Sequence, residues 1–169
     1  DQIRQLLLVG ADKVSINSAA YSDPALITAA SDAYGAQCIV AAIDYRTHAD
    51  GRRECYTRCG TGPTGRDPVE WAKELERLGA GEVQVTSIER DSLMEGYDLR
   101  TIADIAAAVS IPVIASGGAG DYVHMEEAVK AGASAISAAS IYLFTQATPL
   151  EAKAHLAAAG IPVRSHFQG

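Results

Sequence analysis

Two hydrophobic rhythms alternate along the chain. Short apolar runs of strand length occur at Val14-Ser15-Ile16, Ile39-Val40-Ala41-Ala42-Ile43, Val83-Gln84-Val85, Pro112-Val113-Ile114-Ala115 and Ile136-Ser137. Between them, apolar positions recur every three or four residues, the period of a helix with one buried face. Asp23-Pro24 opens one such stretch, which runs to about Tyr34. Arg66-Asp67-Pro68 opens the next, with Val69, Trp71, Ala72, Leu75 and Leu78 as its stripe. Asp98 caps a third, with Ile102, Ile105, Ala106 and Val109 inward, and Asp121 a fourth, with Val123, Met125, Ala128 and Val129. Pro149 opens the last, through Leu150, Ala154 and Leu156. An aspartate before the first turn accepts from its free N–H groups, and proline at the first helical position loses no hydrogen bond. Asp1 to Val9 reads as a helix already under way, as if the chain were cut from a larger fold, and it stops at Gly10.

The joints repeat as well. Gly10-Ala11, Gly35-Ala36, Gly79-Ala80 and Gly132-Ala133 each stand just before a strand run, and Val109-Ser110-Ile111-Pro112 is a glycine-free version. Glycine past a helix end supplies the left-handed cap from which a short loop leads into a strand. Five strand runs, each followed by a helical stretch, predict an α/β fold with a parallel, buried sheet. A TIM-type (βα)8 barrel needs eight strands and ~250 residues, and the about five βα units of this chain would make only a partial barrel. A five-stranded doubly wound sheet is the competitor, and in both folds ligands lie at strand C-termini. Residues 45–65 read as a long βα loop of mixed charge, with Arg53 to Tyr56 as one arm of a hairpin.

Composition narrows the picture. With 169 residues, 48% of them hydrophobic, one domain with a sizeable core is expected. A net charge of −7 argues against a nucleic-acid partner, so any phosphate site must be built locally from backbone and helix ends. The cysteines, Cys38, Cys55 and Cys59, are odd in number and form no CxxC pair, as in a reduced cytoplasmic protein. Cys55 and Cys59 near His48 lack a fourth ligand, so neither a metal nor another cofactor is expected. No apolar run approaches the ~20 residues of a membrane span.

Candidate chemistry gathers at the strand ends. Ser116-Gly117-Gly118-Ala119-Gly120 joins a buried strand to a helix start, the arrangement of an anion site, although a tight turn without a ligand has the same local pattern. Asp44 closes the apolar run Val40 to Ile43. A carboxylate there is partly desolvated and holds its proton more tightly, which suits general acid–base work. A loop-capping aspartate would occupy the same place.

Several motifs then occur in the order found in one family. They are Ala11-Asp12-Lys13-Val14-Ser15-Ile16-Asn17-Ser18, Ala42-Ile43-Asp44, Gly79-Ala80-Gly81-Glu82, Thr86-Ser87-Ile88-Glu89-Arg90-Asp91 with Gly96-Tyr97-Asp98, Ile114 to Gly120, and Ala138-Ala139-Ser140. From about Gly10 to Arg164 the chain resembles the cyclase subunit of imidazole glycerol phosphate synthase. The resemblance implies strands four to eight of the barrel, with the first three βα units lacking. It implies a lyase of histidine biosynthesis that takes ammonia from a glutaminase subunit. The phosphorylated ribulosyl-formimino substrate becomes imidazole glycerol phosphate and aminoimidazole carboxamide ribotide.

Residue roles follow from the same resemblance. Asp44 matches one of two acid–base aspartates. The other lies on the family's first strand and has no counterpart, so the isolated chain is expected to turn over weakly or not at all. The alternative is an impaired phosphate-binding fragment or assembly module. One phosphate site resembles Asp91, Gly118, Ala139 and Ser140, with Gly117 and Ser116 beside it and Ile141 to Phe144 as a short extra helix. The other resembles Asn17 and Ser18, and Thr86 lines the pocket between. At the opposite face Asp12, Lys13 and Glu82 match the glutaminase contact and ammonia gate. The chain departs from the family at Asp91-Ser92-Leu93, where Asp-Gly-Thr is usual, and at Glu89, where Asp is usual. Ser92 is expected to resist a left-handed backbone. Five strands leave edges open, so a homo-oligomer that covers them is expected.

Overall fold

A computed structural model describes residues 1–164. Helix α1 (Gln2–Leu8) leads into β1 (Val14–Ile16), α2 (Ser18–Ser22), α3 (Ala25–Tyr34) and, through a 3-10 turn, β2 (Ile39–Thr47). A hairpin of β3 (Arg53–Thr57) and β4 (Gly62–Pro63) precedes α4 (Pro68–Arg77). Then come β5 (Glu82–Ser87), α5 (Leu99–Ala108), β6 (Val113–Ser116), α6 (Tyr122–Lys130), β7 (Ala135–Ile136), α7 (Ser140–Phe144) and α8 (Pro149–Ala158).

Strands β1, β2, β5, β6 and β7 lie side by side in chain order and pair in parallel. A doubly wound sheet reverses its strand order part-way, and this sheet does not, so the strands run as they do in a TIM barrel. Among the described residues β1 pairs only with β2, and β7 only with β6. The stretch read as a long loop is about half strand: β2 continues to Thr47 and pairs antiparallel with β3, which pairs with β4.

The helix starts follow their caps. The side chains of Asp67, Asp98 and Asp121 accept backbone N–H groups of the first turns of α4, α5 and α6. Asp23 does not act this way: Pro24 is the N-cap residue and α3 begins at Ala25. Helix α8 carries a full capping box between Thr148 and Glu151, with Pro149 at its start.

The core is the helix-facing side of the sheet. Ile39, Ala41, Ile43, Val83, Val85, Val113 and Ala115 are at most 2% exposed. Trp71, Ala72 and Leu75 of α4, Ile27 of α3 and Ile105 of α5 join most of them in one cluster. A second cluster sets Met125 and Ala128 of α6 and Ala152 and Leu156 of α8 around Ala115 and Ile141. Two helical stripes are narrower than their period predicts. Val123 in the first turn of α6 and Leu150 in the first turn of α8 stay exposed, as does Ala154. In α1 only Ile3 and Leu7 pack against the core, while Leu6 and Leu8, and Val9 just past the helix, are exposed.

Candidate functional site

Strand alternation sets the site. Ile43, Val85 and Ala115 point into the helices, so the next residue on each strand points to the opposite, concave face. Register places Asp44 beside Thr86, and Thr86 beside Ser116. Three neighbouring strands thus present a carboxylate and two hydroxyls in one row, ~4.8 Å from strand to strand. Asn17, the residue after β1, completes the row: its Nδ2 donates to Asp44 Oδ2 at 2.7 Å. Its Oδ1 is buried and has no partner among the described residues.

The Asp44 carboxyl holds its proton above the ordinary aspartate range. Partial burial is the main cause, and the negative charge of Asp91 adds to it. Hydrogen bonds from Asn17 and Thr86 pull the other way without cancelling it. A carboxyl so placed is a proton donor and acceptor held in one orientation.

Two strands away lies a cavity of about 50 Å³, lined by Asp91, Ser92, Ser116, Gly117, Gly118, Ala119, Ser137, Ala138, Ala139 and Ser140. One water needs ~10–15 Å³ by this measure, so the cavity has room for a small polyatomic anion. Every residue matched to the first phosphate site by resemblance borders it. Its glycines have a reason the sequence did not reveal. Gly117 and Gly118 have φ of 82° and 118°. A Cβ at Gly118 would collide with the Gly96 carbonyl oxygen, and one at Gly120 with that of Met94. Gly96 N donates to Gly118 O at 2.8 Å, and Gly120 N to His124 Nδ1 at 3.3 Å. These glycines therefore let two βα loops interlock, and the interlock shapes the cavity. Tyr97 Oη donates to Ser137 O at 3.0 Å and ties in the third loop.

Ser92 does adopt the left-handed backbone, with φ of 67°, and Met94 follows at 59°. Asp91 is exposed at the cavity rim, and its backbone N donates to Ser87 O at 3.0 Å. At the other end of the row, Ser18 Oγ accepts from Arg58 N at 3.0 Å, so the β3–β4 hairpin is tethered to α2. At the opposite rim of the sheet, Lys13 Nζ donates to Glu82 Oε1 at 2.9 Å and to Gln37 O at 2.8 Å, while Asp12 stands exposed outside this pair.

The hairpin carries residues that sequence reasoning did not single out. Glu54, 8% exposed, accepts from Arg52 and from Gly65 N and pairs with His48 Nε2 at 3.0 Å. Arg53 bridges to Asp104 at 2.7 Å and so fixes the hairpin to α5. The one signal in the sequence was the hairpin arm read from Arg53 to Tyr56, which says nothing of these partners. Cys55 is buried, and burial pushes its thiol up to about 12, so it is inert as a nucleophile at neutral pH. Cys59 is exposed in the hairpin turn.

Parallel strands in chain order, with polar residues gathered at their C-terminal ends, define a TIM-barrel-type α/β protein. The family model described as histidine biosynthesis protein matches residues 1–148, and the chain belongs to that family. The family is enzymatic, with isomerase- or cyclase-type function in histidine biosynthesis. Among the described residues no helix is long and apolar enough to cross a membrane.

Proposed function

We propose that the chain carries the cyclase type of this chemistry: ammonia joins the phosphorylated ribulosyl-formimino ribotide, an imidazole ring closes, and aminoimidazole carboxamide ribotide leaves. The observation that carries this reading is Asp44, a proton-retaining carboxyl in line with Thr86 and Ser116 and fixed by Asn17. The cavity at Gly118 and Ser140 grips one phosphate of the substrate, and Asp44 moves a proton at the reacting carbons or nitrogens. Positioned acid–base groups contribute ~10²–10⁴-fold in rate. The second acid–base aspartate of the resembling cyclases has no counterpart here, so we expect trace turnover from this chain alone.

A glutaminase subunit docks, on this reading, at the rim marked by Asp12, Lys13 and Glu82. Copies of the chain cover the open edges at β1 and β7, which a solution mass of a dimer or larger would support and a stable monomer would refute. All three cysteines are free, in keeping with the reducing cytoplasm we propose. The deciding assay supplies the ribotide with and without ammonium at pH 8 and separates the products. Imidazole glycerol phosphate formed only with ammonium supports the reading. An isomerised ribotide formed without ammonium would overturn it.

A further inference from the structure

Among the described residues, His48 and His155 pair with the carboxylates of Glu54 and Glu126. His124, in the first turn of α6, has a different partner. The backbone N–H of Gly120 donates to its Nδ1 at 3.3 Å. A ring nitrogen accepts an N–H only when it carries no hydrogen itself. This bond therefore requires the neutral imidazole, with its hydrogen on Nε2.

The ring stands where the two interlocked loops meet. Residues 117–120 form one of them, and the N–H groups of Gly118 and Ala119 have no backbone acceptor among the described residues. Both residues border the 50 Å³ cavity. The start of this loop is held by Gly96 N, which donates to Gly118 O, and its end is held by His124. The Cδ2–Nε2 edge of the same imidazole lies along Gly96 of the other loop, 3.5 and 3.6 Å from where a Cβ would stand. Gly96 O accepts in turn from Arg90 Nη1 at 3.2 Å. One imidazole thus braces both sides of the interlock.

The local pattern is a variant of the capping box. Asp121 accepts from Val123 N, and His124 reaches back to the N–H just before the cap. The usual Glu or Gln in that role remains an acceptor from pH 5 to pH 8, whereas histidine gains a proton within this range. Protonation removes the acceptor and sets a positive charge in the first turn of a helix, against its dipole. The ionisable groups on the elements packed at this end of α6 are Asp121 and Glu127 on the helix, Arg90, Asp91 and Glu95 on the β5–α5 loop, and Asp98 and Arg100 at the start of α5. Among the described residues none of them forms an ion pair with His124 that would replace the lost bond.

We propose that His124 is a positioning residue for the cavity: its neutral imidazole holds residues 117–120 in the anion-binding shape, and protonation releases them. The binding half of this statement rests on the reading of the cavity as a phosphate site. The hold on Gly120 does not.

The test uses sulfate, whose charge is constant from pH 5 to pH 8, at fixed ionic strength on the full chain. Amide shifts of Gly118, Ala119 and Ser140 report affinity, and hydrogen exchange, corrected for its intrinsic pH dependence, reports protection at Gly120. In the wild type both should fall roughly three- to tenfold from pH 8 to pH 5, the worth of one ordinary hydrogen bond. His124→Asn places a non-titrating acceptor near the position of Nδ1. It should keep wild-type affinity and protection at pH 8 and hold both at pH 5. His124→Phe keeps a ring against Gly96 without an acceptor, and should match the acidic wild type at every pH. His48, His155 and Asp44 titrate alike in all three proteins, so a dependence that Asn abolishes belongs to His124. Constant affinity and protection in the wild type, tighter sulfate binding at pH 5, a Phe variant equal to wild type at pH 8, or an Asn variant with the wild-type pH profile would each overturn the proposal. Sulfate binding in none of the three would refute the cavity reading and the binding half with it. Gly120 protection, lost in acid by the wild type and kept by the Asn variant, would then still support the hold, and its absence would refute that too.

Discussion

The two faces of one sheet differ more than any two separate elements of this molecule. On the helix side, Ile39, Ala41, Ile43, Val83, Val85 and Ala115 are at most 1% exposed. On the concave side, the residues that alternate with them are Val40, which is buried, and Ala42, Asp44, Gln84, Thr86, Ile114 and Ser116, which are half-buried. The helix side provides the apolar burial, at roughly 25 cal/mol per Å². The concave side contributes little of that burial and carries the carboxylate, the amide and the hydroxyls. Stability and candidate chemistry are thus separated by one residue of strand register, and each can be perturbed without the other.

The largest effect should come from breaking the helix side. Ile43→Ala removes a fully buried side chain and should cost ~2–5 kcal/mol in chemical denaturation. Gln84→Ala, one strand over on the concave face, should stay within ~0.5 kcal/mol of wild type. Equal losses at the two positions would mean that the concave face is also core. A smaller effect is expected at the loop interlock. Gly118→Ala meets both a positive φ and the Gly96 carbonyl oxygen, so more than ~1 kcal/mol should be lost, together with phosphate-dependent stabilisation. The smallest effect should be a gain. Ser92→Gly relieves a left-handed non-glycine residue and should add ~0.5–1 kcal/mol, offset in part by glycine's greater freedom when unfolded.

Much of this division can be read from residue pattern alone. The parallel strands, the caps at Asp67, Asp98 and Asp121, and the polar strand ends at Asp44 and Ser116 follow from period and punctuation, whereas Thr86 follows from the family resemblance. Family membership agrees with the barrel-type reading. Other features were hidden because they depend on contacts far apart in sequence. The glycines of 117–120 face the loop of residues 94–96, a partnership that no local rule reveals. One arm of the hairpin, from Arg53, was legible, but its antiparallel pairing with β2 and the bridges of Arg53 to Asp104 and Asp67 form only once the chain is folded. Val123 and Leu150 fit a helical stripe, yet the first turns of α6 and α8 leave them exposed.

The central claim is that Asp44 sits on the concave face for chemistry and at some cost to stability. Its folded carboxyl holds a proton more tightly than the unfolded chain does. Its contribution to stability is therefore complete below the unfolded value near ~3.9 and is lost as pH rises through the higher folded value. Asp44→Asn keeps the shape and an acceptor for Asn17 but carries no titrating proton. The most direct measurement follows ammonia-dependent ribotide turnover and thermal unfolding on the same Asp44→Asn preparation, beside wild type, from pH 4 to pH 8. The account predicts a turnover loss of ~10²-fold or more. It also predicts a melting temperature at or above wild type at pH 8, with the difference vanishing toward pH 4. Unchanged turnover, or a variant less stable than wild type at pH 8, would contradict it.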